Sequence, residues 1–70
     1  MSWLLALLLA LGGASVELRT DKEDFWLHNY GYEDEYCWVE LTTREIEVFM
    51  PAGSSSRRWQ VSTFVDWGCY

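Results

Sequence analysis

The stretch Tyr36-Cys37-Trp38-Val39-Glu40-Leu41, followed after Thr42-Thr43-Arg44 by Glu45-Ile46-Glu47-Val48-Phe49-Met50, decides the fold class. Successive side chains of an extended chain point to opposite faces. This spacing therefore sets Cys37, Val39 and Leu41 on one side and Tyr36, Trp38 and Glu40 on the other. The second run alternates in the same way, with Ile46, Val48 and Met50 against Glu45, Glu47 and Phe49. Period two in both runs, with a short polar break between them, predicts two strands of an antiparallel hairpin.

Outward from this hairpin the same period recurs. Val16 and Leu18 alternate with Glu17 and Arg19, which predicts a first strand over Val16 to Thr20. The charged stretch Asp21 to Asp24 ends it, and Thr20 or Asp21 is placed to cap one helical turn. Phe25 to Tyr30 suits a strand or a brief helix and is read as a second strand, with Asn29 and Gly31 turning the chain. Pro51, Ala52, Gly53 and the Ser54 to Ser56 run form the strongest turn signal, because Pro lacks an N–H and Gly tolerates positive φ. Arg58 to Asp66 reads as the last strand, with Trp59, Val61, Thr63 and Val65 on one face and Gln60, Ser62, Phe64 and Asp66 on the other. The expected fold is all-β: a small antiparallel meander closing into a mini-sandwich or partly closed barrel, after an N-terminal apolar helical segment. Closure covers the two partly apolar faces and removes open edges.

The apolar segment is Met1 to Ala14. Trp3 to Leu11 is unbroken apolar sequence, and Gly12, Gly13 and Ala14 supply the small residues that signal peptidase needs. Residues 1–14 therefore read as a secretory signal peptide and residues 15–70 as one small acidic β domain, secreted or extracytoplasmic. No Lys or Arg precedes the apolar run, so a second reading retains the segment as an anchor and makes the protein membrane-associated. The run from Trp3 to Val16, about fourteen residues, is shorter than the roughly twenty that a spanning helix needs.

All of the formal net charge of -6 falls on residues 15–70. Nucleic-acid backbones and anionic lipid surfaces would repel such a domain. Arg57 and Arg58 are its only adjacent basic pair and read as surface charge. In an exported chain Cys37 and Cys69 are most simply one disulfide, contributing about 4 kcal/mol on a chain-entropy estimate. In a meander the final strand ends far from Cys37, so the tail after Asp66 must turn back, at Gly68. If the tail runs on instead, the strand order or the bridge differs. Two cysteines and the single His28 cannot complete a zinc shell. Neither a metal nor a cofactor is expected.

Function is less legible. The chain has five tryptophans and four tyrosines, and Trp59 falls on the expected core face. Trp38 and Phe49 fall on the opposite one, as possible neighbours across the hairpin. The segment Tyr30-Gly31-Tyr32-Glu33-Asp34-Glu35-Tyr36 sets three acids among three phenols. Such an edge suits a protein partner with a basic surface, and tyrosines flanked by acids are also candidates for sulfation. The candidate binding residues are Tyr30, Tyr32, Glu33, Asp34, Glu35, Tyr36, Trp38 and Trp67. Calcium ligation by Glu33, Asp34 and Glu35 is disfavoured because consecutive side chains of an extended segment point apart. No nucleophile, phosphate-loop or zinc-hydrolase motif is present, and so small a domain has little volume for both a core and a cleft, so no enzyme activity is expected. The expected role is a secreted protein-binding module. The alternatives are a membrane-anchored accessory subunit of a larger complex and a carbohydrate-binding module using exposed rings.

Overall fold

The computed structural model of the chain describes residues 15–70. The signal or anchor segment, and any helix in it, lies outside the described residues. The elements are β1 (Val16–Thr20), β2 (Asp24–Asn29), β3 (Glu35–Leu41), β4 (Glu45–Met50), β5 (Trp59–Gln60), a 3-10 turn (Val61–Thr63) and β6 (Phe64–Cys69). They form two three-stranded antiparallel sheets, ordered β1-β2-β5 and β4-β3-β6, in sandwich-like contact. Both sheets contribute to one core of Val16, Phe25, Leu27, Cys37, Val39, Leu41, Met50 and Trp59. The domain is all-β and layered, as expected. It is neither a meander nor a closed barrel.

The predicted last strand is where the expectation fails. Arg58 to Asp66 does not run straight: β5 pairs with β2, the 3-10 turn follows, and β6 then pairs with β3 in the other sheet. One segment therefore joins the two layers. The ladder of β3 and β6 slips between Glu40 and Leu41, so that Glu40 faces Asp66 but Leu41 faces Phe64. Val65 is the extra residue, as in a β-bulge. The slip reverses the alternation at Val65 and Phe64, and Val61 is turned out by the 3-10 turn. Val61 and Val65, expected beside Trp59 in the core, are exposed. Phe64, expected outside, packs edge-on against Phe25 with ring centroids 5.0 Å apart, and Phe25 also meets Trp59 at 5.4 Å.

The new strand order settles the disulfide geometry. β6 runs antiparallel beside β3, so its far end arrives directly opposite Cys37, and Cys37 and Cys69 are bonded. The tail does not turn back. The amide of Tyr70 donates to the Tyr36 carbonyl (2.9 Å), which leaves Cys37 and Cys69 as a non-hydrogen-bonded pair, the kind whose side chains stand closest. Gly68, expected as a hinge, lies in the strand opposite Trp38, and a Cβ there would sit 2.8 Å from the indole. The missing side chain is the seat for that ring.

Three loops carry the remaining corrections. Asp21 caps no helical turn: its Oδ1 accepts the amides of Glu23 (3.0 Å) and Asp24 (2.8 Å) and closes the β1–β2 turn as an Asx cap. Gly53, at φ 76°, occupies the third position of the Pro51–Ser54 turn, closed by the Ser54 amide on the Pro51 carbonyl (3.0 Å). The serines beyond are more than a loop. The Asn29 amide donates to the Ser54 carbonyl and the Ser56 amide to the Leu27 carbonyl, Ser55 bridges His28, and the Ser56 hydroxyl accepts from the Leu27 amide. This segment continues β5 along β2.

Asn29, expected only as a turn residue, is fully buried. Its amide nitrogen donates to the carbonyls of Glu33 (2.8 Å) and Met50 (3.0 Å), and its oxygen accepts from the Gly31 amide (2.9 Å). It fastens the loop between β2 and β3 to the end of β4. Gly31 completes the join, since a Cβ there would sit 2.6 Å from that of Ser15.

Two stability outcomes are expected. Replacing Cys37 and Cys69 by Ala should remove about 4 kcal/mol, enough to leave so small a domain largely unfolded in ambient conditions; circular dichroism with and without reductant checks this. Asn29→Ala should cost about 1–3 kcal/mol, because the carbonyls of Glu33 and Met50 and the amide of Gly31 lose their bonds to this buried side chain, and amide exchange should quicken most in the loop from Tyr30 to Asp34.

Candidate binding face on the β4-β3-β6 sheet

The register places the outward side chains of this sheet in rows. One row holds Phe49, Tyr36 and Tyr70, the next Glu47, Trp38 and Gly68, and the last Glu45, Glu40 and Asp66. Rings occupy one end and carboxylates the other. Tyr36 stacks on Phe49 with centroids 4.9 Å apart and planes at 44°. Tyr36 rather than Trp38 is therefore the cross-strand partner of Phe49; Trp38 stands opposite Glu47 and lies over Gly68, half-buried. Tyr36, Phe49 and Tyr70 remain 63%, 50% and 73% exposed. Glu40 stands directly opposite both Glu45 and Asp66, an arrangement of like charges that costs stability in a sheet.

The proposed Tyr30 to Tyr36 edge joins this face at its aromatic end. Tyr32 is fully exposed and Tyr30 largely so. Asp34 turns away to accept the Ala52 amide (2.9 Å), which ties the loop to the turn after β4. Glu33 is exposed, and Glu35 begins β3, half-buried opposite Met50. Trp67 stands apart from these residues: it pairs with Val39 and packs against the core on the inner side. The sequence reading did not single out Glu40, Glu45, Glu47, Asp66 and Tyr70 as candidates. Alternation of Glu45, Glu47 and Phe49 along one strand face was the available signal for three of the positions in these rows; nothing local marked Tyr70.

Charge divides unevenly between the layers. On β1, β2 and the segment from Pro51 to Gln60, with the β1–β2 turn, the acids Glu17, Asp21, Glu23 and Asp24 are matched by Arg19, Lys22, Arg57 and Arg58. On β3, β4, β6 and the loop entering β3, seven acids face the single cation Arg44. The whole net charge of -6 thus belongs to the layer that carries the exposed rings. Two of the opposite layer's cations are engaged: Arg19 pairs with Glu17 (3.1 Å), and Arg58 bonds Asp21 (3.0 Å) while its guanidinium lies 4.0 Å from the Trp26 ring centroid. Amides of Asp24 and Glu23, and then Arg58, hold the Asp21 carboxyl below its ordinary range.

An open depression of about 240 Å³ on that opposite layer is lined by Arg19, Trp26, His28 and Ser55. His28 Nδ1 lies 2.8 Å from the Ser55 hydroxyl. The carboxylate across the ladder from His28, Glu17, is bonded to Arg19 instead. Among the described residues, no three His, Cys, Asp or Glu side chains gather as metal ligands, and no helix is long and apolar enough to cross a membrane. No protein-family model, curated protein or solved structure matches the chain.

Tyr70 reports the electrostatics of the face. Partial desolvation, followed by the charges of Glu47 and Glu45, raises its phenol above the ordinary value, and the hydroxyl donates to Glu47 Oε1 at 3.4 Å. Forming a phenolate beside carboxylates is unfavourable. Glu47→Gln should lower the Tyr70 pKa toward the free-tyrosine range, read by ultraviolet difference titration against a Tyr70→Phe reference.

Proposed function

We propose that the chain is an exported, disulfide-closed module that binds another protein through the outer face of β4-β3-β6 and the adjoining Tyr30 to Tyr36 edge. The observation that carries this reading is the concentration of the entire net charge on one layer, whose outer face carries four of its carboxylates beside the exposed Tyr36, Phe49 and Tyr70 rings. Rings supply contact area at small entropic cost, and carboxylates around them select a partner bearing Lys or Arg. The row of opposed carboxylates fits the same reading, since it costs the isolated domain stability that a basic partner would return. Residues 1–14 act as the export signal and are removed. Binding rather than catalysis is the role assigned, and neither cofactor nor nucleic acid takes part.

Partner capture from the extracellular fraction should fall about tenfold or more in Tyr36→Ala and in Phe49→Ala. It should also weaken steadily as salt rises, because the attraction is screened over about 10 Å at 0.1 M ionic strength. Glu17→Gln, on the opposite layer, is the control and should bind normally. Equal loss in the control, or no loss in the ring variants, would remove this face from the function. A glycan that protects the rings with little salt dependence would instead make the chain a carbohydrate-binding module. Intact mass of the exported protein tests the signal: retention of residues 1–14 would favour the membrane-anchored accessory subunit.

A further inference from the structure

The β4-β3-β6 sheet has two outer strands, and they differ in the backbone they present. β6 is blunted: its ladder is broken at Val65, and the outward amide of Trp67 is capped by its neighbour's carboxylate, Asp66 Oδ1, at 2.8 Å. β4 carries neither device. Its register with β3 is unbroken from Glu45 to Met50, and among the described residues it pairs only with β3. The direction of its free groups follows from the hairpin. Leu41 donates to the Arg44 carbonyl at 2.7 Å, so Arg44, Ile46, Val48 and Met50 bond inward to β3. The N–H and C=O groups of Glu45, Glu47 and Phe49 then point out along the open edge.

Those residues also carry the outward side chains of the face. Glu45 and Glu47 are exposed acids and Phe49 an exposed ring, while Ile46 and Val48, on the inner side, are only half-buried. A strand laid along β4 would place alternate side chains beside Glu45 and Glu47 on one face and beside Ile46 and Val48 on the other.

Resting on the binding reading above, we propose that the partner docks by adding an extended segment to β4 as a fourth strand. Its side chains alternate between Lys or Arg and β-branched apolar residues. Main-chain bonds to Glu45, Glu47 and Phe49 supply the ladder, and the carboxylates select the basic register. A second copy is a poorer occupant, since antiparallel β4–β4 pairing centred on the strand sets Glu47 against Glu47. β1, the outer strand of the other sheet, is a poorer receptor, because its outward Glu17 and Arg19 are already paired.

The test uses the full oxidised chain and a synthetic peptide of alternating Lys and Val, its termini blocked, with two comparison peptides. One has the same composition in block order; the other carries N-methyl groups on the amides that would face β4. The expected result is slowed exchange of the Glu45, Glu47 and Phe49 amides with the alternating peptide alone, and at least tenfold weaker binding of both comparison peptides. Glu47→Pro should abolish the protection and keep the fold, since that amide is not bonded to β3. Glu47→Gln should weaken binding only modestly. The edge proposal is overturned if the N-methylated peptide binds equally well, if protection falls on β1 or β6, or if the same amides are already protected without peptide, by residues 1–14 or by a second copy. Equal binding of the N-methylated peptide that still depends on Tyr36 and Phe49 would sink the added strand and leave the face intact. Loss of dependence on both rings and edge would sink the two together.

Discussion

The crossing of the segment from Trp59 to Cys69 between the two layers is the constraint on which the rest of this domain depends. β5 gives only two residues to the first sheet, and β6 supplies the third strand of the second. Without that segment each layer would be a two-stranded hairpin, marginal at best in water. The Phe25, Trp59 and Phe64 rings cluster at the crossing, where the aromatic core of one layer meets that of the other. The Cys37–Cys69 bond then holds the far end of β6 in its only productive register. A domain with few buried residues is in this way closed by one covalent tie at the end of the strand that would otherwise fray first.

The same crossing builds the candidate binding face. With β6 seated beside β3, Tyr70 and Asp66 enter rows begun by Phe49, Tyr36, Glu45 and Glu40. Gly68 lets the Trp38 ring lie flat across the middle, giving the face a rigid floor. Asn29 performs the corresponding task at the loop, holding the Tyr30 to Asp34 segment against the end of β4 through buried hydrogen bonds. The acidic layer is thus held in shape by contacts within the domain, which would lower the ordering cost of the proposed recognition. The other layer's formal charges balance, so the negative charge is carried on one side of the molecule.

The sequence by itself determined the four strands of the two hairpins, the alternating faces of β1, β3 and β4, the cystine and the acidic, ring-rich character of the segment from Tyr30 to Tyr36. These follow from local sterics: an extended chain alternates its side chains every residue, and composition needs no partner to be read. Only the tertiary structure decided which strands are neighbours, because backbone hydrogen bonds carry no sequence label and β6 can ladder with β3 as readily as with β4. It also decided where Phe64 and Val65 point, since one extra residue at Val65 reverses their faces without altering the alternation seen in the sequence. For the same reason the part of the candidate face contributed by Asp66 and Tyr70 was invisible beforehand: residues distant in sequence become one surface only when a register joins them.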